Sequence, residues 1–381
     1  MSRDGFRIAI DGRPALWPRT GIGTIARNVL KRIQLFDDSN QYFAYFDRDP
    51  GAAAGNGHSI ENRWGGPRQK LVWANTWLPR QLRYDDIDVF VTFLDKDLPL
   101  APTRARIVSM VHDLIPLKFP DVVFRNPVHR LYYNALIRAS TRRADMILTN
   151  SEFSRREIVT ELGADESKIY KITLGVDEAG PIDQAQVTDV LRRCGLTRPY
   201  LLALGSTEPR KNNRRVIEAM RRLQSDHPDV QLAIAGSNWR GVEFDPAMID
   251  GRVRLLGHVA DDDLPALMQS AEMLVFPSLH EGFGLPVIEA MALGVPVVTS
   301  TAAALPEVAG DAALFADPNS ADKIAAQMKR VLEDRALAEN LRTRGLERAR
   351  QFRWETTCAE LASVCSALME RRELRSLPFA L

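Results

Sequence analysis

Cysteine is scarce: the chain holds three, Cys194, Cys358 and Cys365, among 381 residues. None forms a C-x-x-C pair, which argues against zinc or a disulfide framework and makes a reducing cytosol the expected setting. Long apolar runs are missing as well. No stretch approaches the roughly 18–20 residues of a membrane-spanning helix, and the start, MSRDGFRIAID, holds no basic-then-apolar export signal. Neither sign of charge dominates, with 50 lysines and arginines against 49 aspartates and glutamates. Bulk charge therefore gives no footprint for nucleic acid, and no such partner is expected. No tandem repeat or low-complexity tract occurs, and GAAAGNG (51–57) reads as a mobile loop.

What is present describes an ordinary globular protein, 45% apolar and 26% charged, long enough for two domains. Short β-rich runs alternate with helical spacing. FRIAID (6–11), QYFAYFD (41–47), DVFVTF (88–93), RIVSMVHD (106–113), ADMILTN (144–150) and KIYKITLG (168–175) read as strands, most of them nearly all apolar. Strands buried on both faces look like this, so a parallel sheet with helices on each side is expected. Helical spacing marks 21–35 and 126–144, and Ser151 opens a further helix. The rhythm lapses through EAGPIDQAQ and resumes at PYLLALGS (199–206). QLAIAGS (231–237), RVRLLGH (252–258), AEMLVFPS (271–278), VPVVTS (295–300) and AALFAD (312–317) follow as strands, with helices from about 212, 261, 286, 320 and 335. Two doubly wound α/β domains are expected, with ligands outside the carboxyl ends of the strands.

One stretch concentrates the chemistry: HEGFGLPVIEA, 280–290. A strand ends at Ser278, a Gly-Phe-Gly turn follows, and Pro286 stands where proline is preorganised for a first helical turn. Gly282 and Gly284 permit close approach that a Cβ would forbid. The helix N-terminus beyond them suits a phosphate or a sugar oxygen. Glu281 and Glu289 are eight residues apart and partly helical, so their carboxylates lie on the order of 10 Å apart. A retaining hydrolase pair needs about 5–5.5 Å. Two acids also make a poor magnesium site. The spacing suits two hydroxyl-bearing parts of one ligand, while surface glutamates are the plain alternative. Upstream, STEPRKNN (206–213) sets Arg210 and Lys211 at another strand-to-helix loop, either as a fork and a point charge for a diphosphate or as two solvated cations.

The run SLHEGFGLPVIEAMALGVPVVTS, with LGSTEPRKNN before it and LPEVAGDAALFADP after it, resembles glycosyltransferase family 4 on the GT-B fold. RTGIGTIARNVL, SMVHDLIPLKFP, TNSEFSRREI and ITLGVD extend the resemblance over nearly the full chain. It implies two Rossmann-like domains with an interdomain cleft: an N-terminal acceptor-binding domain over 1–178, a linker over 179–198, a C-terminal nucleotide-sugar domain over 199–350, and a helix within 351–381 crossing back to the N-terminal domain. It also implies roles. Glu281 would hold donor-sugar hydroxyls and Glu289 the ribose, backbone groups of Gly282, Phe283 and Gly284 would pack on sugar and phosphate, and Gly205 and Leu285 would complete that site. Arg210 and Lys211 would neutralise the diphosphate, Gly21 and Gly23 would let the first domain approach the phosphates, and His112 would lie near the transferred sugar. His112, Arg210, Lys211 and Glu281 form the implied catalytic set.

The implied reaction is retaining, front-face transfer of a hexose from a nucleotide diphosphate sugar to an acceptor hydroxyl, with no cofactor. No Ser/His/Asp or Cys/His grouping supplies a nucleophile. Asp47-Arg48-Asp49, Asp86-Ile87-Asp88 and Asp95-Lys96-Asp97 are Asp-x-Asp pairs without supporting architecture, so no metal is expected. Gly21 to Ala26 matches the dinucleotide fingerprint formally, but it begins ten residues after Asp11 instead of directly after the strand. An NAD-dependent oxidoreductase is thus a weaker alternative, as is a nucleotide-sugar-binding protein without transfer activity. EPRKN with HDLIPLKFP is most similar to bacterial mannosyltransferases of polysaccharide and O-antigen assembly, so GDP-mannose leads as donor, and UDP-glucose and UDP-N-acetylglucosamine stay open. Relatives often carry Gly-Arg where Gly205-Ser206 stands here, and an aromatic where Leu279 and His280 stand. The acceptor is expected to be a glycan, lipid-linked. NRWGGPRQKLVWANTWLPRQLRY (62–84) interleaves Trp64, Trp73 and Trp77 with five cations and reads either as a peripheral contact with anionic lipid at the inner face of the cytoplasmic membrane or as a helix packing its tryptophans inward.

Overall fold

The computed structural model describes residues 5–17, 20–51, 60–177, 180, 182–205, 207–237 and 243–370. Ser206 and most of the 51–57 loop lie outside them. The chain forms two compact units, one from Met1–Gly175 with Arg353–Leu381, the other from Val176–Phe352.

Seven parallel strands build the first unit: β1 Arg7–Asp11, β2 Gln41–Phe46, β3 Glu61–Trp64, β4 Val89–Thr92, β5 Arg106–Met110, β6 Met146–Thr149 and β7 Ile169–Lys171, in the order β3-β2-β1-β4-β5-β6-β7. β4 and β6 are buried from end to end because helices cover both faces. Ile8 of β1 is flanked by Tyr42 of β2 and Val89 of β4, so the strand order reverses beside β1. The carboxyl edge at such a switch point is where doubly wound sheets take ligands. β3 is absent from the sequence expectation, since ENRW is polar and pairs along one side only, with β2.

The 62–84 stretch turns its central tryptophans inward. Trp73 is fully buried, stacks on Trp77 with centroids 5.3 Å apart, and donates from Nε1 to the Gly65 carbonyl at 3.0 Å. Trp77 in turn meets Tyr45 edge-on at 5.9 Å. Of the three tryptophans only Trp64 is exposed, and Tyr84 at the end of the stretch is exposed with it.

The last described helix, Trp354–Glu370, packs on the Gly21–Phe36 helix of the first unit. A Cβ on Gly175 would stand 2.4 Å from the Trp354 backbone nitrogen, so the chain passes there only as glycine. Glu360 accepts from Thr173 N at 2.6 Å and from Thr173 Oγ1 at 3.1 Å.

The second unit repeats the plan with β8 Tyr200–Leu204, β9 Gln231–Ala235, β10 Val253–Gly257, β11 Met273–Phe276, β12 Val297–Ser300 and β13 Leu314–Ala316. All pairings are parallel, in the order β10-β9-β8-β11-β12-β13, and β8 lies beside β11 at the switch. The expected 179–198 linker differs from the structure: it contains a helix, Gln184–Cys194, inside this unit. Asp183 caps that helix by accepting from Ala185 N, and Val187 and Val190 are its buried side. Two apolar anchors among Gln, Thr and Asp leave too faint a rhythm to read. The units divide after Gly175 and Phe352 where the sequence suggested 178 and 350.

Candidate functional site

At the end of β11 the chain turns through Pro277 to Gly284 into the Leu285–Ala292 helix. Gly284 adopts φ +108°, and a Cβ there would lie 2.6 Å from Leu305 Cδ2, so the turn demands glycine twice over. Phe283 sends its ring against Phe352, edge-on at 5.6 Å, so the Gly-Phe-Gly triple can offer a ligand only backbone. Leu279 N donates to the Arg210 carbonyl at 2.9 Å. The Asn212 amide joins the Pro277 and Pro318 carbonyls at 3.0 and 2.7 Å. The loops after β8 and β11 are thereby bound into one body.

Glu281 sits at their junction, 8% exposed. Its Oε1 accepts from Ser278 Oγ at 2.6 Å and from Lys211 Nζ at 2.7 Å, and lies 2.8 Å from Arg210 Nη1. Burial alone would raise the carboxyl pKa, but Lys211 and Arg210 outweigh it and hold the group at about 2. Glu281 is therefore an anion at neutral pH. No hydrogen bond among the described residues falls on its Oε2.

Arg210, 6% exposed, is committed on every nitrogen. Nε and Nη2 grip Glu208 at 2.9 and 3.2 Å, and Nη1 donates to the His280 carbonyl at 2.6 Å beside its pairing with Glu281. It braces the site and has no fork left for a diphosphate. Lys211 differs. Its ammonium touches Glu281, stands 5.0 Å from the centre of the Phe276 ring, and keeps hydrogens to spare. Gly205, at φ +117° just after β8, makes room for the lysine stem. Leu285 and Glu289 are half-buried on the helix beyond the turn, at its first and fifth residues.

In the first unit Gly21 and Gly23 open a helix capped by Thr20, whose Oγ1 accepts from Gly23 N at 3.1 Å. A Cβ on Gly23 would meet the Pro14 carbonyl at 3.0 Å. The Arg13–Leu16 turn separates β1 from this helix, so the tight strand-to-helix turn of a dinucleotide fingerprint is not made here. His112 stands two residues beyond the end of β5 and lies 2.9 Å from the Phe93 carbonyl through Nε2. A carbonyl only accepts, so Nε2 carries the proton and Nδ1 is left as an acceptor. Burial holds the imidazole pKa below its usual range despite that hydrogen bond. Among the described residues no group of three or more His, Cys, Asp or Glu side chains is placed to hold a metal ion, and no helix is long and apolar enough to cross a membrane.

The model described as Glycosyltransferase Family 4 matches residues 20–179, and that described as Glycosyl transferases group 1 matches 194–348. O-antigen chain mannosyltransferase B of Escherichia coli is 38% identical over 260 residues, 66% of this chain and 67% of that protein. The chain belongs to glycosyltransferase family 4. This family 4 glycosyltransferase also matches the serotype-specific mannosyltransferase WbdA of Escherichia coli, 29% identical over 66% of the chain but over only 32% of that longer protein. Its GT-B fold is shared with Anabaena HepE, solved in complex with UDP-glucose, at a TM-score of 0.71 and 18% identity over 95% of this chain and 99% of that one.

Sequence reasoning missed the bracing of the glycosyltransferase site. Ser278 stands three residues before Glu281, close enough along the turn for its hydroxyl to reach the carboxylate. Glu208 stands two residues before Arg210 and is gripped by it.

Proposed function

We propose that this glycosyltransferase moves mannose from GDP-mannose to a lipid-linked glycan acceptor, with retention of anomeric configuration, in the assembly of a cell-surface polysaccharide on the cytosolic face of the membrane. Similarity to the O-antigen mannosyltransferases supports the sugar. The observation that carries the donor site is the Glu281 carboxylate, saturated on Oε1 by Lys211, Arg210 and Ser278 and, among the described residues, without a hydrogen bond on Oε2. An anion held this way accepts from donor-sugar hydroxyls through Oε2 without swinging aside.

Lys211 and the N-terminus of the Leu285–Ala292 helix stabilise the departing diphosphate. The bond from the anomeric carbon to the diphosphate oxygen breaks, and its electron pair leaves with the phosphate. The acceptor oxygen bonds to the same face of the sugar, and its proton passes to a phosphate oxygen. Glu289 accepts from the ribose, Gly21 and Gly23 approach the phosphates, and the imidazole of His112 accepts from a sugar hydroxyl through Nδ1. The diphosphate charge is met by Lys211 and backbone N–H groups in place of a metal ion, so EDTA leaves turnover unchanged.

The test supplies radiolabelled GDP-mannose with a mannosylated lipid-linked glycan and follows both label in the glycan and GDP release. The same assay is run with UDP-glucose and UDP-N-acetylglucosamine. Transfer from a UDP-sugar alone would overturn the donor assignment.

A further inference from the structure

The switch point of the first sheet carries a polar cluster that the donor site does not use. Asp11, the last residue of β1, is fully buried, and Arg13 grips it through Nε at 2.8 Å and Nη2 at 2.7 Å. Thr92, the last residue of β4, donates to the same carboxylate at 2.9 Å. The guanidinium lies over the Trp73 ring, 4.0 Å from its centre. Arg13 is only 3% exposed, yet the nitrogen that Asp11 leaves unused, Nη1, is buried with no hydrogen-bond partner among the described residues. Buried cationic donors are rarely left unpaired, and one at the carboxyl edge of a switch point marks a place for a ligand.

Asp97 supplies the complement. It lies on the loop after β4, 6% exposed, and accepts no hydrogen bond among the described residues. Its backbone is left-handed at φ +71°, a conformation that few non-glycine residues hold. After Asp11, Asp97 is the strongest anionic influence on Arg13, followed by Asp47 just beyond β2. Its companion Asp95 is already taken by the Tyr133 hydroxyl at 2.6 Å and by Lys96 at 3.2 Å.

The signs of charge decide the ligand class. Among the described residues the charges that act most strongly on Arg13 and Asp97 are those of Asp11, Asp47, Asp95 and Asp97 against Arg13, Lys70 and Lys96. A phosphate or carboxylate would meet net negative charge there. A hydroxyl fits both open groups, because it accepts from a guanidinium and donates to a carboxylate at once.

We propose that Arg13 Nη1 and the Asp97 carboxylate form a subsite for a neutral sugar residue of the acceptor, at the carboxyl edge between β1 and β4. The role as acceptor subsite rests on the glycosyl-transfer reading above; the binding of a neutral glycoside does not. Isothermal titration of the full chain with a methyl mannobioside, and separately with mannose 1-phosphate, tests it. The wild type binds the neutral glycoside in preference to the phosphate, and Asp97→Asn weakens that binding about tenfold or more, as loss of a charge-assisted hydrogen bond requires. GDP binding is the same in both proteins, and the KM for a mannosylated acceptor rises while the KM for donor does not. Asparagine tolerates φ +71°; if its thermal midpoint nonetheless falls, Asp97→Gly, unstrained at that angle, repeats the measurement. Equal affinity in wild type and variant, preference for mannose 1-phosphate, or no binding of the neutral glycoside to the wild type overturns the subsite. Intact glycoside binding without transfer from GDP-mannose would instead count against the donor assignment and leave the subsite standing.

Discussion

Lys211 occupies the space that a side chain on residue 205 would need: a Cβ at Gly205 would lie 2.8 Å from Lys211 Cγ and 3.0 Å from its Cδ. The stem is thus laid against the backbone at the end of β8, and its ammonium reaches Glu281 at 2.7 Å. Gly205→Ala should act through Lys211. The strain at φ +117° costs about 1–3 kcal/mol. The displaced ammonium should lower kcat about tenfold or more. Steady-state kinetics with a thermal melt would read both effects, and wild-type turnover would break the link between the two residues.

Lys211→Ala and Arg210→Ala should fail differently. Without Lys211, Glu281 still has Arg210 and Ser278, so the fold persists while turnover collapses. Without Arg210, the buried Glu208 and Glu281 carboxylates lose their shared cation, which should destabilise the second unit by about 3–5 kcal/mol. Urea unfolding separates the cases; equal destabilisation by the two substitutions would contradict the assignment of Arg210 as a brace.

The acid limb of stability should carry a contribution from Glu281. Its folded pKa, about 2, lies below the unfolded value of about 4.3, so the unfolded chain binds its proton first. The contribution is complete above about pH 5 and is lost as pH falls toward 2. In Glu281→Gln that pH dependence should flatten, as unfolding free energies measured across the window would reveal. Turnover should show no Glu281 ionisation near neutral pH.

His112 should be neutral at pH 7. Burial depresses its pKa below the unfolded value of about 6.5, so its stabilising contribution is present above that pH and lost as pH falls through the folded value. The imidazole resonances in an NMR titration should be those of the Nε2–H tautomer at neutral pH and turn to the imidazolium form only below the unfolded value of about 6.5. A shift to the imidazolium form at higher pH would remove the acceptor role given to Nδ1.

Much of the fold is legible in the chain because parallel strands sealed on both faces are nearly pure apolar runs: VFVT, MILT and MLVF each lie where their composition places them. β3 escapes because an edge strand such as ENRW need not be apolar, and the Gln184–Cys194 helix because two valines are its only fully buried residues. Trp73 shows a third limit. Tryptophans among cations fit a lipid surface or a core equally well, and only the neighbours Trp77 and Gly65 decide. In the site, the glycine turn, the Arg-Lys pair and the two glutamates can be picked out from local spacing. The clasp of Arg210 by Glu208 and Glu281 cannot, since Glu281 comes within reach only where β8 and β11 become neighbours.

Because the Trp354–Glu370 helix belongs to the first unit, that unit cannot finish folding on the ribosome until all of Val176–Phe352 has been made. At ordinary rates of synthesis the wait is on the order of ten seconds or more. During it, the side of the Gly21–Phe36 helix that will receive the Trp354–Glu370 helix is bare, and the place beside Gly175 that Trp354 will fill stands open. The half-built unit must be kept from its neighbours for that interval. A premature stop just before Trp354 would yield a complete second unit joined to a first one with an uncovered apolar flank, a target for proteolysis rather than a shorter enzyme.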